Sequence, residues 1–490
     1  MRDDEIRRAF TDANPWWRAA AAGRDPTAWA SRHRLLRDRS SHDLGYRSSV
    51  LDDLWEGPLT DALVVLTGPR RIGKSVALLD AALALCGKEG IDPRQVIYLP
   101  CDGMRDRDLR RALTLGRELT RSVDSEVRRP RAWLLDEVSG IGGWTAILKS
   151  ARDATDFGDD TVVATGSRWT DSEHIAANLL AGRAGTGDKR RVRHLLPMSF
   201  RDFLAATRPS VARVGPEHPA EIQSPAVAHA LEEVRFDIDE YDLAWQDYLS
   251  CGGFPRAVAE HRRMGAVSAG YLHDLEAWLH TDVDASAPAE SIPLLLAGLS
   301  TRSTSPLNAT KTAQHLGYST RPLFERRLHR LIASFAVLAC PHRDDDGRVI
   351  AGGQPKYYLT DPLLAWLPTH LRAGIASPDL TMLTEATLAT TLARRIDVLN
   401  EGRWAAGDTI GYTRTDSGNE VDLCPIWVPT AAGMEPTTPL ESKWVDSGWR
   451  AEAKVIENKY GRGVLATKSI LDLESPSWAI PAPLLALLLL

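Results

Sequence analysis

Cysteine is scarce and scattered, with five residues (Cys86, Cys101, Cys251, Cys340 and Cys424) in a chain of 490. No two form a C-x-x-C pair, which argues against a zinc centre and against a disulfide framework. They read as small buried apolar residues. Long apolar runs are missing as well. The most membrane-like stretch, Leu484 to Leu490, is far shorter than the ~20 residues a spanning helix needs. The opening MRDDEIRRAF is charged and has no apolar signal core. A cytoplasmic protein without a membrane partner is the expectation. A strong charge of either sign is also lacking: 59 Lys and Arg face 65 Asp and Glu, a net charge of −6. Contact with nucleic acid would therefore need a local patch.

A chain this long exceeds what one hydrophobic core supports, so several domains are expected. Residues 1–58 read as a helical segment, in which Asn14-Pro15-Trp16-Trp17 marks a turn and a helix start with packing aromatics. Residues 59–207 alternate short apolar runs (62–67, 95–99, 132–135 and 161–165) with helical stretches. Uninterrupted apolar strands separated by helices predict a parallel sheet covered on both faces. A Pro-, Glu- and Ser-rich stretch over 209–225 reads as a linker. A helical, lid-like region is expected over 226–289, and short helices with a hairpin over 290–372. A small α/β unit is expected over 378–480.

One motif dominates the chemistry. Gly68-Pro69-Arg70-Arg71-Ile72-Gly73-Lys74-Ser75 fits G-x-x-x-x-G-K-[ST], following an apolar run and opening the amphipathic stretch that begins at Val76. Glycines let the backbone curl until its N–H groups converge on phosphate oxygens, and a helix N-terminus adds partial positive charge. Lys74 is expected to reach the β- and γ-phosphates of ATP, and Ser75 to offer its hydroxyl to Mg²⁺. Trp133-Leu134-Leu135-Asp136-Glu137 is an apolar strand ending in two carboxylates. Asp136 would support the Mg²⁺ shell, and Glu137 would orient or deprotonate the attacking water. Taken alone, such a pair could equally cap a helix. Together with the P-loop, it predicts hydrolysis as well as binding. Beyond the next strand, Thr165 and Ser167 are candidate γ-phosphate sensors, or plain turn residues. Arg183, and less so Arg168, are candidate arginine fingers. Lys189, Arg190, Arg191 and Arg193 read as a solvated basic loop, or one that touches phosphates.

These words in order resemble bacterial and archaeal AAA-type ATPases that carry a C-terminal winged-helix and restriction-endonuclease-like domain of unassigned function. After the P-loop, Asp136-Glu137, Thr165-Gly166-Ser167 and Gly182-Arg183, the resemblance continues through Leu196-Pro197-Met198-Ser199-Phe200-Arg201-Asp202-Phe203 and Gly252-Gly253-Phe254-Pro255. Lys356-Tyr357-Tyr358-Leu359-Thr360-Asp361 and Glu420-Val421-Asp422 complete it. It spans about 55–475, with Met198 where such proteins often have leucine, a swap neutral for packing. It strengthens Arg183 as a nucleotide-sensing residue.

Residues 309–317 and 321–331 read as helix, turn, helix, with Phe324, Leu328 and Leu331 on the core face and Arg326, Arg327 and Arg330 elsewhere. With the following hairpin this is a winged-helix pattern. It is compatible with DNA binding or with a protein-contact role, because the tip Asp344-Asp345-Asp346 would repel phosphate. Asp422, Glu441 and Lys443 resemble the PD-(D/E)xK nuclease signature, with Glu385 as the accessory acid. That resemblance implies Mg²⁺ on Asp422 and Glu441, and Lys443 steadying the hydrolytic water. Glu441 and Lys443 are two apart, so a strand points both to one face. The fold class expected is α/β: a P-loop sheet, then a helical and winged-helix region, then a nuclease-like unit. ATP turnover that moves the C-terminal module is the leading functional expectation. An ATP-gated DNA nuclease and an ATP-dependent switch for a protein partner or self-association are the alternatives.

Overall fold

A computed structural model describes residues 1–42, 44–121, 129–167, 179, 190–211, 214–404, 406–415 and 418–490. The chain divides into two compact units, Met1–Leu196 and Pro197–Leu490.

The first unit is built on five parallel strands: β1 (Leu63–Thr67), β2 (Val96–Pro100), β3 (Ala132–Asp136), β4 (Thr161–Gly166) and β5 (Val192–His194). Their order across the sheet is β2-β3-β4-β1-β5. The four strands expected from the sequence are present, shifted by at most one residue at either end. Helices α1 (Asp3–Ala13), α2 (Pro15–Ala21) and α3 (Arg34–Ser41) precede the sheet; α4 (Lys74–Cys86), α5 (Asp106–Leu119) and α6 (Trp144–Ala154) connect its strands. Residues of β1, β3 and β4 are buried throughout, which is why these strands read as unbroken apolar runs.

An open sheet edge is an aggregation hazard that proteins cover or blunt. Here the N-terminal segment covers β2. The Asn14 side chain accepts from Tyr98 N at 2.7 Å and donates to Tyr98 O at 2.9 Å, as a neighbouring strand would. The indole N–H groups of Trp16 and Trp17 both donate to Val96 O at 2.9 Å. Gly116 on α5 has no room for a side chain, because a methyl there would stand 3.0 Å from Phe10 and closer still to Trp133.

The second unit begins with helices Phe200–Thr207, Pro225–Glu233, Ile238–Cys251, Pro255–Met264, Ala269–Asp284 and Ser291–Ser300. Helices Ala309–His315 and Arg321–Ala333 lead into the antiparallel pair β6 (Val337–Cys340) and β7 (Lys356–Leu359). After helices Pro362–Leu371 and Leu380–Leu399 come two short antiparallel pairs, β8 (Thr413–Arg414) with β9 (Glu420–Val421) and β10 (Trp427–Thr430) with β11 (Gly433–Pro436). Last is a parallel sheet of β12 (Leu440–Ser442), β13 (Gly463–Thr467) and β14 (Ser477–Pro481), with helices Trp449–Tyr460 and Ala482–Leu488.

Several sequence words turn out to be one packing joint. Tyr248 OH donates to Met198 O at 2.9 Å, and Met198 N donates to Gly253 O at 2.7 Å. Gly253 N donates to Asp361 Oδ2 at 2.8 Å, and Leu363 N donates to Asp361 Oδ1 at 2.9 Å. Gly252 sits at φ +68°, and a methyl there would overlap the Asp361 carboxylate, so only glycine fits. Burial pushes Asp361 up to about 6, and the two N–H donors oppose that rise.

Within 209–225, read as a linker, the described residues include buried Val211, Val214 and Ile222. Glu217 N donates to Leu488 O, and Thr438 N to Pro219 O, so the stretch is part of the second unit's packing. The C-terminal leucines form the buried helix Ala482–Leu488. Among the described residues, no helix is long and apolar enough to cross a membrane.

Candidate functional site

Register brings the P-loop and the acidic pair to one edge. Thr67 pairs with Gly166 and with His194, while Pro100 pairs with Asp136, so the strands end level at their carboxyl ends. Open α/β sheets bind ligands outside that edge. The P-loop itself is curled by left-handed residues: Gly68 at φ 154°, Arg71 at 65° and Gly73 at 102°, with α4 starting at Lys74. A methyl at Gly68 would overlap Leu195 O, which leaves no freedom for another residue. Lys74 is buried, and its ammonium donates to Gly68 O and Pro69 O, each at 2.9 Å. A cation beside a nest of N–H groups at a helix N-terminus suits phosphate.

β4 stands between β1 and β3, and its Thr165 joins the two acidic residues. Thr165 Oγ1 donates to Asp136 Oδ1 at 2.9 Å and accepts from Glu137 N at 2.9 Å. The second Asp136 oxygen accepts from Tyr98 OH at 2.8 Å. Burial and then the Asp136 charge raise the Tyr98 pKa well above its usual value, so this hydroxyl stays a donor. Glu137 lies at φ +56°, a left-handed conformation that costs a non-glycine residue roughly 1–3 kcal/mol and clusters at functional sites. Its Oε1 accepts from Ser167 Oγ at 2.7 Å, Ser139 Oγ at 3.1 Å and Ser167 N at 3.3 Å. Of the two sensor candidates, Thr165 thus holds the Asp136 carboxylate and the Glu137 backbone, and Ser167 holds the Glu137 carboxylate. Gly166 between them admits no side chain, because Ser139 Cβ lies 2.6 Å from where one would start.

Two residues at this edge carried no signal in the sequence. Tyr98 lies inside an apolar run, and only pairing of β2 with β3 puts its hydroxyl beside Asp136. His194 Nδ1 lies 2.8 Å from Thr67 Oγ1, and burial with the nearby Arg190 charge lowers its pKa to about 3. It is therefore neutral at physiological pH. Ser75 in the first turn of α4 and Asp136 supply oxygen donors of the kind a hard cation such as Mg²⁺ takes. Asp136 also keeps spare lone pairs beside its two hydrogen bonds.

Arg168, Arg183 and Lys189 lie outside the described residues. Arg193 departs from both readings of the basic run. It is buried on β5, donating to Val50 O at 2.6 Å and to the Asp53 carboxylate, at 2.8 Å for Oδ2. A similar correction applies to one arginine of helix Arg321–Ala333. Arg327 is buried against Asp284 at 2.9 Å, and Arg330 donates to Val283 O at 2.7 Å. Arg327 is thus held inside the unit, whereas Arg326 and Arg330 remain exposed on its surface.

The C-terminal candidates do meet. Asp422 N donates to Glu441 Oε2 at 3.1 Å, Ser442 N to Asp422 Oδ2 at 3.1 Å, and Lys443 pairs with Glu441 Oε1 at 2.8 Å. At the centre stands a residue the sequence did not single out as a site residue. The Lys356 ammonium lies 2.8 Å from Asp422 Oδ1, and 3.3 Å from both Glu385 Oε1 and Glu420 Oε2. Burial alone would lower the Lys356 pKa, but the charges of Asp422 and Glu385 raise it well above normal. Burial, then the Asp422 charge, raises Glu385 and Glu441. Among the described residues, no group of three or more His, Cys, Asp or Glu is arranged to hold a metal ion. These residues therefore do not fit the Mg²⁺ that the nuclease resemblance implied.

Residues 60–204 match the AAA domain family, and residues 242–372 match a domain of unknown function. The stretch 60–204 is thus similar to AAA-type P-loop domains. An uncharacterized protein of Haemophilus influenzae is 29% identical over 214 residues, 43% of this chain and 44% of that protein. The chain thus spans less than half the length of that curated relative. Among solved structures, the Walker-type ATPase of Pyrococcus abyssi is 13% identical, with a TM-score of 0.38 over 68% of this chain and 95% of that one. The ORC2 protein of Aeropyrum pernix is 14% identical, with a TM-score of 0.29 over 69% and 94%.

Proposed function

We propose that this protein binds ATP with Mg²⁺ at Gly68–Ser75 and hydrolyses it to ADP and phosphate, passing nucleotide state to its second unit. The observation that carries the reading is the Thr165 hydroxyl, which holds Asp136 and the backbone of Glu137 together on the P-loop's edge of the sheet. Backbone N–H groups of 70–75 and the Lys74 ammonium bind the phosphates, with Val76 in the same first turn. Ser75 and Asp136 would hold Mg²⁺, which when bound neutralises charge between the β- and γ-phosphates. Glu137, fixed through Oε1 by Ser167 and Ser139, orients the attacking water and accepts its proton. Arg183 is the proposed arginine finger.

Coupling is supported by chain continuity. The carbonyl of Leu195 abuts Gly68 in the P-loop, and three residues further on Met198 pairs with Gly253. A shift of the loop on phosphate binding would therefore pull on the strand that leads into the second unit. Within that unit, we read 290–372 as winged-helix-like and 378–480 as restriction-endonuclease-like. The burial of Arg327 against Asp284 and the acidic tip Asp344-Asp345-Asp346 favour a packing or protein-contact use of the former over DNA binding.

Turnover measured by phosphate release, alongside binding of a fluorescent ATP analogue, tests this reading. Lys74→Ala should lose both activities, and Glu137→Gln should keep binding while losing turnover by roughly a hundredfold. Unchanged turnover in Glu137→Gln would sink it.

A further inference from the structure

The nuclease-like constellation holds a cation of its own. Lys356 comes from β7, outside the 378–480 stretch that supplies the acids, and its side chain is 1% exposed. It meets Asp422, Glu385 and Glu420 within 2.8–3.3 Å. Tyr358, two residues along and so on the same face of the strand, donates to Glu385 Oε1 at 2.7 Å. The outlying acids are matched by further cations, Arg414 on Glu420 at 2.7 Å and Lys443 on Glu441 at 2.8 Å.

A divalent cation would need the same oxygens. Mg²⁺ takes about six oxygen ligands at roughly 2.0–2.1 Å in near-octahedral geometry. It would have to displace a buried ammonium that is hydrogen-bonded in place, or share the cluster with it against direct repulsion. A buried lysine facing several carboxylates is costly to remove and costly to crowd.

We propose that Lys356 occupies the cation position of this constellation, so that the C-terminal unit excludes divalent metal and does not cut nucleic acid. The ammonium instead ties the β6–β7 pair to helix Leu380–Leu399 and to β9 with the Asp422 that follows it. With that ammonium removed, Glu385, Asp422 and Glu441 would have to draw together before they could hold a metal ion. This inference is independent of the ATPase reading, since its residues and its readout lie apart from the P-loop.

Mn²⁺ binding to the nucleotide-free full chain, followed by electron paramagnetic resonance, tests it. Wild type should show no Mn²⁺ that Asp422→Asn removes. Lys356→Met should gain one ion about a hundredfold or more tighter than any wild-type binding at the cluster, as expected for deleting a unit charge at contact distance. That ion should be lost again in Lys356→Met/Asp422→Asn. Two results overturn the proposal: wild-type Mn²⁺ binding that Asp422→Asn abolishes, or a folded Lys356→Met protein that gains no ion. The wild-type comparison stands even if Lys356→Met does not fold. Mg²⁺-dependent plasmid cleavage by wild type, abolished by Asp422→Asn, would equally overturn it.

Discussion

Tyr98 donates its hydroxyl to Asp136 at 2.8 Å, while its backbone N–H and C=O are both held by the side chain of Asn14. One residue thus ties the N-terminal helices to the acidic end of β3. Tyr98→Phe removes one hydrogen bond to a charged group, worth about 1.5–3 kcal/mol, and frees an Asp136 oxygen. The expected result is a lower kcat with a changed Mg²⁺ dependence and nearly unchanged ATP affinity. A mere packing role would leave the Mg²⁺ dependence where it was.

Asn14→Ala uncovers two backbone groups of the edge strand. Each buried group left without a partner costs about 1–3 kcal/mol, so the urea midpoint of the first unit should fall clearly. Elution as larger species at high concentration is also expected, since a bared edge pairs with other chains. An unchanged midpoint would mean that Trp16 and Trp17 suffice to cover β2.

Thr165→Val keeps shape and removes the hydroxyl between Asp136 and Glu137. Turnover should drop roughly tenfold to a hundredfold, the scale of a misplaced catalytic group. Binding of the ATP analogue should stay within about threefold, because the P-loop amides are untouched. Loss of binding and turnover together would assign Thr165 to folding alone.

Asp361 makes a pH prediction. Its carboxyl is raised to about 6 from 3.8 by burial, against the pull of the Gly253 and Leu363 N–H groups. The folded state therefore holds this proton more tightly than the unfolded chain. Its contribution to stability is complete below pH ~4 and is lost as pH rises through about 6, a change of roughly 3 kcal/mol. Asp361→Asn should be less stable at low pH, because its NH₂ faces an N–H donor, and the gap to wild type should narrow between pH 4 and 6. Parallel stability curves across that range would contradict the assignment. His194 acts oppositely: its lowered pKa means stability present above pH ~6.5 and lost as pH falls toward 3.

The sequence by itself determined what depends on local order. The P-loop is contiguous, so its glycines, Lys74 and Ser75 declare their use through spacing alone, and short unbroken apolar runs declare buried parallel strands. Asp136-Glu137 and Glu441 with Lys443 were legible for the same reason. Tertiary structure alone decided which distant groups complete those sites. Tyr98 reaches Asp136 through strand pairing, Asn14 reaches Tyr98 across 84 positions, and Lys356 reaches Asp422 across 66. Such contacts leave no periodic or spaced trace, since a lysine two places before a tyrosine looks the same in solvent as in a buried cluster. Burial is what converts it from a surface charge into the counter-ion of three acids, and burial is a property of the packed chain.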